Sequence, residues 1–190
     1  MSSPASLAPG TRARVEEYVR PLYTELDGVD TFGRVARVER RLARLAEGGG
    51  HDAELLELMA LFHGVVPRLG SLAGGGRWQL FLRGLGVPPV RIARLRSALG
   101  RYAEAPRSRE EELLHDAVLL ERTGVRAAVA RLLAAGRRKA ALDRALAQLD
   151  AGPDPERFRT AVGRELATVR HAAAAEWIAR LRELAAQEEP

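Results

Sequence analysis

The chain has 190 residues, 46% of them hydrophobic, with a net charge of +5 and no cysteine. Such a chain can bury a sizeable core as one domain, and it cannot form disulfides or thiolate metal sites. No apolar run is long enough to span a bilayer and no basic-then-apolar leader opens the sequence, so the expectation is a soluble, cytoplasmic protein without membrane contact.

Residues 1–10 are rich in Ser, Pro and Ala and are expected to be disordered ahead of a domain over 11–190. Thr11 reads as the cap of a helix over 11–27, with Val15, Val19, Leu22 and Leu26 on one face and Pro21 as a point of kinking. A turn at Asp27-Gly28-Val29-Asp30 leads to a second helix over 31–46, striped by Val35, Val38, Leu42 and Leu45 and ended by Gly48-Gly49-Gly50. Asp52 caps a third, more apolar helix in which His63 shares the face of Leu55, Leu56, Met59 and Phe62. Gly64 then offers the left-handed conformation that ends a helix.

Residues 65–76 read as a Gly-rich connector, since no P-loop Lys-Ser/Thr follows the glycines. A short helix over 77–85 carries Trp78, and one over 90–101 carries Ile92, Leu95 and Leu99 and is closed by Tyr102. Ser108-Arg109-Glu110-Glu111 has the form of a capping box and opens a helix at Arg109. Helices over 125–135 and 138–149 are split by Gly136. Asp154-Pro155-Glu156 is a cap, an N1 proline and a first-turn acid, so the last helix is expected from there to about residue 186, with Phe158, Val162, Leu166, Val169, Ile178 and Leu181 in register. No segment alternates with a strand period, which predicts an all-α protein of about eight or nine helices in one bundle.

Taken together over residues 25–186, these pieces resemble the HD-domain metal-dependent phosphohydrolases. Gly33-Arg34-Val35-Ala36 is similar to the family's Arg-Val pair, which follows a metal-binding His by three residues. Glu54-Leu55-Leu56-Glu57-Leu58-Met59-Ala60-Leu61-Phe62-His63-Gly64 resembles the acidic, leucine-rich helix that ends in the His-Asp pair. Asp116-Ala117-Val118-Leu119-Leu120-Glu121-Arg122-Thr123-Gly124 resembles the later segment with a ligand Asp, and Phe158 to Glu165 with Arg170-His171 resembles the closing helix. The resemblance implies an HD-like helical bundle.

The departures fall on the metal ligands. The first ligand position is Thr31, the Asp of the His-Asp pair is Gly64, and a further family His is Tyr102. Only His63 and Asp116 remain, and the neighbouring His115 turns about 100° away from Asp116 on a helix, so that pair cannot chelate together. A divalent ion needs several N and O donors at once. The expectation is therefore no metal and no cofactor, with the former active-site pocket acting on or binding a small molecule, for example in a biosynthetic pathway.

His63, Asp116, Tyr102 and Thr31 are the catalytic candidates, with His63 as general acid/base and its proton state set by Asp116 if the two touch. Tyr102 is placed to donate to a carbonyl or oxyanion, and Arg34 and Trp78 are the substrate-binding candidates. Two alternatives stand beside this: a non-catalytic regulatory or anion- and nucleotide-binding module, and a metal-dependent phosphohydrolase with an altered ligand set. All but one of the 30 basic residues are Arg, the exception being Lys139, and they are spread along the chain, interleaved with Glu in several helices. With aromatics at 5%, a nucleic-acid face is not expected. The run Arg137-Arg138-Lys139 reads as a solvated helix start, and Ala172 to Ala175 as a face that a second copy of the chain can pack against.

Overall fold

A computed structural model describes residues 6–23, 32–69 and 76–187. Among them are nine α-helices, two 3-10 helices and no strand. The helices are α1 (Pro9–Tyr23), α2 (Gly33–Leu45), α3 (Ala53–Phe62), α4 (Arg77–Gly84), α5 (Pro89–Arg101), α6 (Arg109–Glu121), α7 (Val125–Arg137), α8 (Leu142–Ala147) and α9 (Ala161–Gln187). None is long and apolar enough to cross a membrane. The chain divides into two compact units, Met1–His115 and Asp116–Pro190, and the division falls within α6.

In the first unit the predicted stripes are the ones buried. Val15 and Val19 of α1, and Val35, Val38, Leu42 and Leu45 of α2, each keep 5% exposure or less. From Leu58 to Phe62 every residue of α3 has 0% exposure. A helix buried on all sides is a core element, which is why its apolar run is nearly continuous. Asp52 starts it as expected, its Oδ1 accepting from the Leu55 N–H at 3.0 Å. Helix α1 begins two residues earlier than its Thr11 signal. Leu7, expected to be disordered, is buried, and its N–H donates to Glu57 at 2.9 Å.

Two termini differ in kind from the expectation. Gly64 does not end α3 with a left-handed residue: positive φ occurs at Gly49, Gly50, Gly86, Gly124 and Gly152, not there. The chain instead tightens into a 3-10 helix, His63–Arg68, through what was read as a connector. The box at Ser108 is only half closed. Ser108 Oγ accepts from the Glu111 N–H at 3.3 Å, but the Glu111 carboxylate accepts from Arg107 N–H at 2.7 Å and from Arg101.

In the second unit α7 runs through Gly136 to Arg137, and the break comes at Lys139, with φ 55°. The Ala140 N–H then reaches back to the Ala135 carbonyl at 3.1 Å, a left-handed helix end, so the basic run closes a helix rather than opening one. Asp154-Pro155-Glu156 yields only the one-turn helix Pro155–Arg157, because Phe158 is extended at ψ 140°. The long helix starts afresh at Ala161. Its inward face is made of Gly163, Ala167, Ala174 and Ile178, while Val162 and Val169, expected inside, are exposed. Ala174 is the buried member of the alanine run; Ala172, Ala173 and Ala175 are exposed. Leu146 and Leu149 pack with Ala128 and Ile178. Arg182 of α9 donates to the carbonyls of Leu146 at 2.9 Å and Leu149 at 2.8 Å, satisfying carbonyls at the end of α8.

Candidate functional site

His63 sits where α3 passes into its 3-10 continuation, 3% exposed. Its Nδ1 lies 2.7 Å from the Ala60 carbonyl oxygen. A carbonyl only accepts, so Nδ1 carries the proton and Nε2 is a bare acceptor. Nε2 is buried and has no hydrogen-bond partner among the described residues. Burial lowers the imidazole pKa, the Ala60 bond opposes this, and the charge of Arg34 lowers it further, from 6.5 to about 4. The ring is therefore neutral at physiological pH. Arg34 projects from the first turn of α2, half-buried. Its Nε is buried without a partner, and no carboxylate pairs with its guanidinium among the described residues.

The low imidazole pKa has a testable consequence for stability. Between pH 6.5 and 4 the unfolded chain binds a proton at His63 that the folded chain does not. The contribution is present above pH 6.5, is lost on acidification through that window and levels off near pH 4, amounting to on the order of 3 kcal/mol. We expect His63→Gln to flatten the acid loss by about 2 kcal/mol between pH 7 and pH 4.5 in denaturant unfolding. An equal acid loss in parent and variant would contradict this placement of His63.

Tyr23, absent from the sequence-based candidates, organises the backbone beside His63. Its hydroxyl donates to the Leu61 carbonyl and accepts from the Gly64 N–H, both at 3.0 Å. Burial drives its pKa up. The two rings lie 6.3 Å apart, centroid to centroid. A Cβ built on Gly64 would stand 2.5 Å from Tyr23 Cε1 and 2.9 Å from its hydroxyl oxygen. Gly64 is thus required for close approach rather than for φ, and the tyrosine occupies the room a side chain at 64 would need. No periodicity could have signalled this; the only hint was a glycine where the resemblance implied an acid.

Tyr102, at the C-terminal end of α5, donates to the His63 carbonyl at 3.3 Å. Its own carbonyl holds the Nδ1 of His115 at 2.9 Å, so His115 is part of this framework. Trp78 is buried at 1% and packs against Phe62, centroids 5.7 Å apart, with its Nε1 unpartnered among the described residues. Thr31 lies outside the described residues.

In the second unit, Asp116 is fully buried and its carboxylate is engaged at the start of α9. Oδ1 accepts from the Arg159 N–H at 2.8 Å; Oδ2 accepts from the Thr160 N–H at 2.8 Å and the Thr160 hydroxyl at 2.6 Å. Thr160 Oγ1 in turn accepts from the Gly163 N–H at 2.9 Å, capping the helix. An acid at the positive end of a 27-residue helix is a favourable placement.

The donors of a divalent-metal centre do not fit these residues. Position 64 has no side chain, Tyr23 fills the adjacent space, and Asp116 already accepts three hydrogen bonds from backbone and hydroxyl donors. No group of three or more His, Cys, Asp or Glu among the described residues could hold a metal ion.

No family model matches the sequence, and no curated protein sequence matches it. Solved structures do match. YpgQ of Bacillus subtilis, solved in complex with ADP, is 18% identical with a TM-score of 0.68, covering 92% of this chain and 94% of that one. A predicted HD superfamily hydrolase from an uncultured Thermotogales bacterium is 20% identical with a TM-score of 0.63, covering 90% and 91%. An HD-superfamily hydrolase from Bacillus thuringiensis is 18% identical with a TM-score of 0.67, covering 92% and 96%. The chain has the HD-superfamily hydrolase fold.

Proposed function

We propose that this chain is an HD-fold protein that works without the metal centre and takes a small anionic molecule at Arg34 and His63. The observation that carries the reading is the pairing of a guanidinium that lacks a carboxylate partner among the described residues with a neutral imidazole whose Nε2 is a buried, unpartnered acceptor. Arg34 is suited to a phosphate or carboxylate, and His63 Nε2 to a hydroxyl or amine of the same molecule. A buried acceptor left bare costs free energy, and a donor on the ligand removes that cost. Tyr102 and Tyr23 fix the backbone around the imidazole, and Trp78 packs behind Phe62. YpgQ in its ADP complex makes a nucleoside phosphate the first compound to try. With a pKa near 4, His63 is a poor proton donor at neutral pH, so the reading favours binding or orientation over general acid catalysis. Asp116 is assigned to anchoring α9 rather than to the ligand.

Calorimetric titration with ADP in the presence of EDTA tests this. We expect saturable binding that survives the chelator, that falls at least tenfold in Arg34→Ala, and that falls several-fold in His63→Phe. Binding that requires Mn²⁺ or Mg²⁺, or one tightly held metal per chain in purified protein, would overturn the metal-free reading. Unchanged affinity in both variants would remove Arg34 and His63 from it.

A further inference from the structure

Helices α1, α2 and α3 enclose a second feature that the site above does not use, an open groove of about 360 Å³. Its walls are apolar and deliberately small: Leu42 and Leu56 meet Ala46, Ala53 and Ala60, and the room exists because alanines stand where larger core residues would close it. Glu39 and Ala46 both line it and are seven residues apart on α2 and its cap, so the trough is about 10 Å long.

One end is polar and negatively charged. Arg12 is saturated by three carboxylates: Nε meets Glu16 at 2.9 Å, Nη2 meets Glu39 Oε1 at 2.7 Å, and Nη1 meets Glu57. Arg20 offsets Glu16 at 3.5 Å, so within this cluster of described residues three carboxylates face two guanidinium groups, an excess of one negative charge. Glu57 is engaged at both oxygens, Oε1 accepting from Arg12 and Oε2 from the Leu7 N–H. Glu39 meets Arg12 through Oε1, and its side chain is 26% exposed. The other end holds His51, whose Nδ1 is buried and has no partner among the described residues.

From this juxtaposition we infer that the groove is a second ligand site, taking an amphipathic primary amine whose ammonium meets Glu39 and whose apolar body lies along the alanine-lined trough toward His51. The ammonium pairs with the Glu39 carboxylate and neutralises the excess charge, while the trough walls exclude water from the body of the ligand. An anionic amphiphile of the same length has the same apolar contacts and meets like charge at Glu39, so charge sign separates this site from unselective apolar uptake. The groove also touches the first site: Ala60 lines it, and the Ala60 carbonyl holds His63 Nδ1.

The test is isothermal titration of the full chain with n-octylamine and, separately, with octanoate, below the concentrations at which either aggregates. Saturable binding of one n-octylamine per chain, with octanoate at least tenfold weaker, is the expected result. Glu39→Gln should weaken the amine at least tenfold and bring the two probes closer together, and Ala46→Leu, which fills the trough, should weaken both. No saturable amine binding overturns the inference in the unaltered protein, without recourse to variants. Equal affinity for amine and carboxylate overturns it as well, and so does amine affinity unchanged in a folded Glu39→Gln protein.

Discussion

Asp116→Ala is expected to lower the stability of the protein by about 3 kcal/mol or more, with the loss centred on the first turns of α9. The substitution removes one acceptor group and strands three donors: the N–H groups of Arg159 and Thr160 and the Thr160 hydroxyl. Hydrogen bonds to a charged group are worth about 1.5–3 kcal/mol each, and an unpaired buried donor costs about 1–3 kcal/mol. Thr160 is 5% exposed, so water cannot replace the lost acceptor there without opening the structure. Gly163→Ala should act on the same joint from the other side. Its Cβ would lie 2.2 Å from Asp116 Oδ2 and 2.8 Å from Thr160 Oγ1, and neither atom can move away without breaking a bond. Denaturant unfolding and amide exchange over residues 160–166 check both. A catalytic or ligand-contacting Asp116 predicts the opposite pattern, with stability kept and affinity lost, and an Asp116→Ala protein as stable as the parent would refute the anchoring role.

The fold was legible because its signals are local. Stripes at helical spacing placed Val35, Val38, Leu42 and Leu45 inside, and Asp52 marked the start of α3. What failed were positions decided by partners distant in sequence. Asp154-Pro155-Glu156 carries every ordinary start signal, yet α9 begins at Ala161, where Asp116, 44 residues before Thr160, supplies its acceptor. Val162 and Val169 were placed inward by hydrophobicity, but the inward face belongs to Gly163, Ala167 and Ala174, whose small size lets the helix pack closely. The site divides in the same way. His63 was recognisable from the face it shares with leucines, and Arg34 from the resemblance of its surroundings. Tyr23 was invisible, since its role arises from a contact 41 residues away with the Gly64 N–H. Asp116 stood out as a surviving acid, and its hydrogen bonds show an occupation that no spacing rule could supply.

Gly64→Asp, which introduces the acid that the resemblance places after His63, is expected to damage the protein rather than create a metal site. The new Cβ would overlap Tyr23 Cε1 at 2.5 Å, and Tyr23 is 1% exposed, so the ring has no solvent to move into. Overpacking of this kind costs about 1–3 kcal/mol, and shifting the ring also endangers its bonds to the Leu61 carbonyl and the Gly64 N–H, worth about 1 kcal/mol each. Arg34 is a charge that acts on the adjacent His63, so the aspartate would be drawn to that guanidinium before it gathered a divalent ion. Tyr23→Ala separates the steric from the electrostatic part. Alone it should be costly, about 3–5 kcal/mol for losing a large buried ring. In the double variant the clash no longer exists, so the two losses should fall short of additive by about 1–3 kcal/mol. Unfolding free energies of the four proteins give that coupling directly, and equilibrium dialysis against Mn²⁺ shows whether an ion follows. Strict additivity would mean that Tyr23 is not what fills the space a side chain at 64 would need, and stoichiometric Mn²⁺ in the single variant would mean that one added ligand suffices to make a metal site.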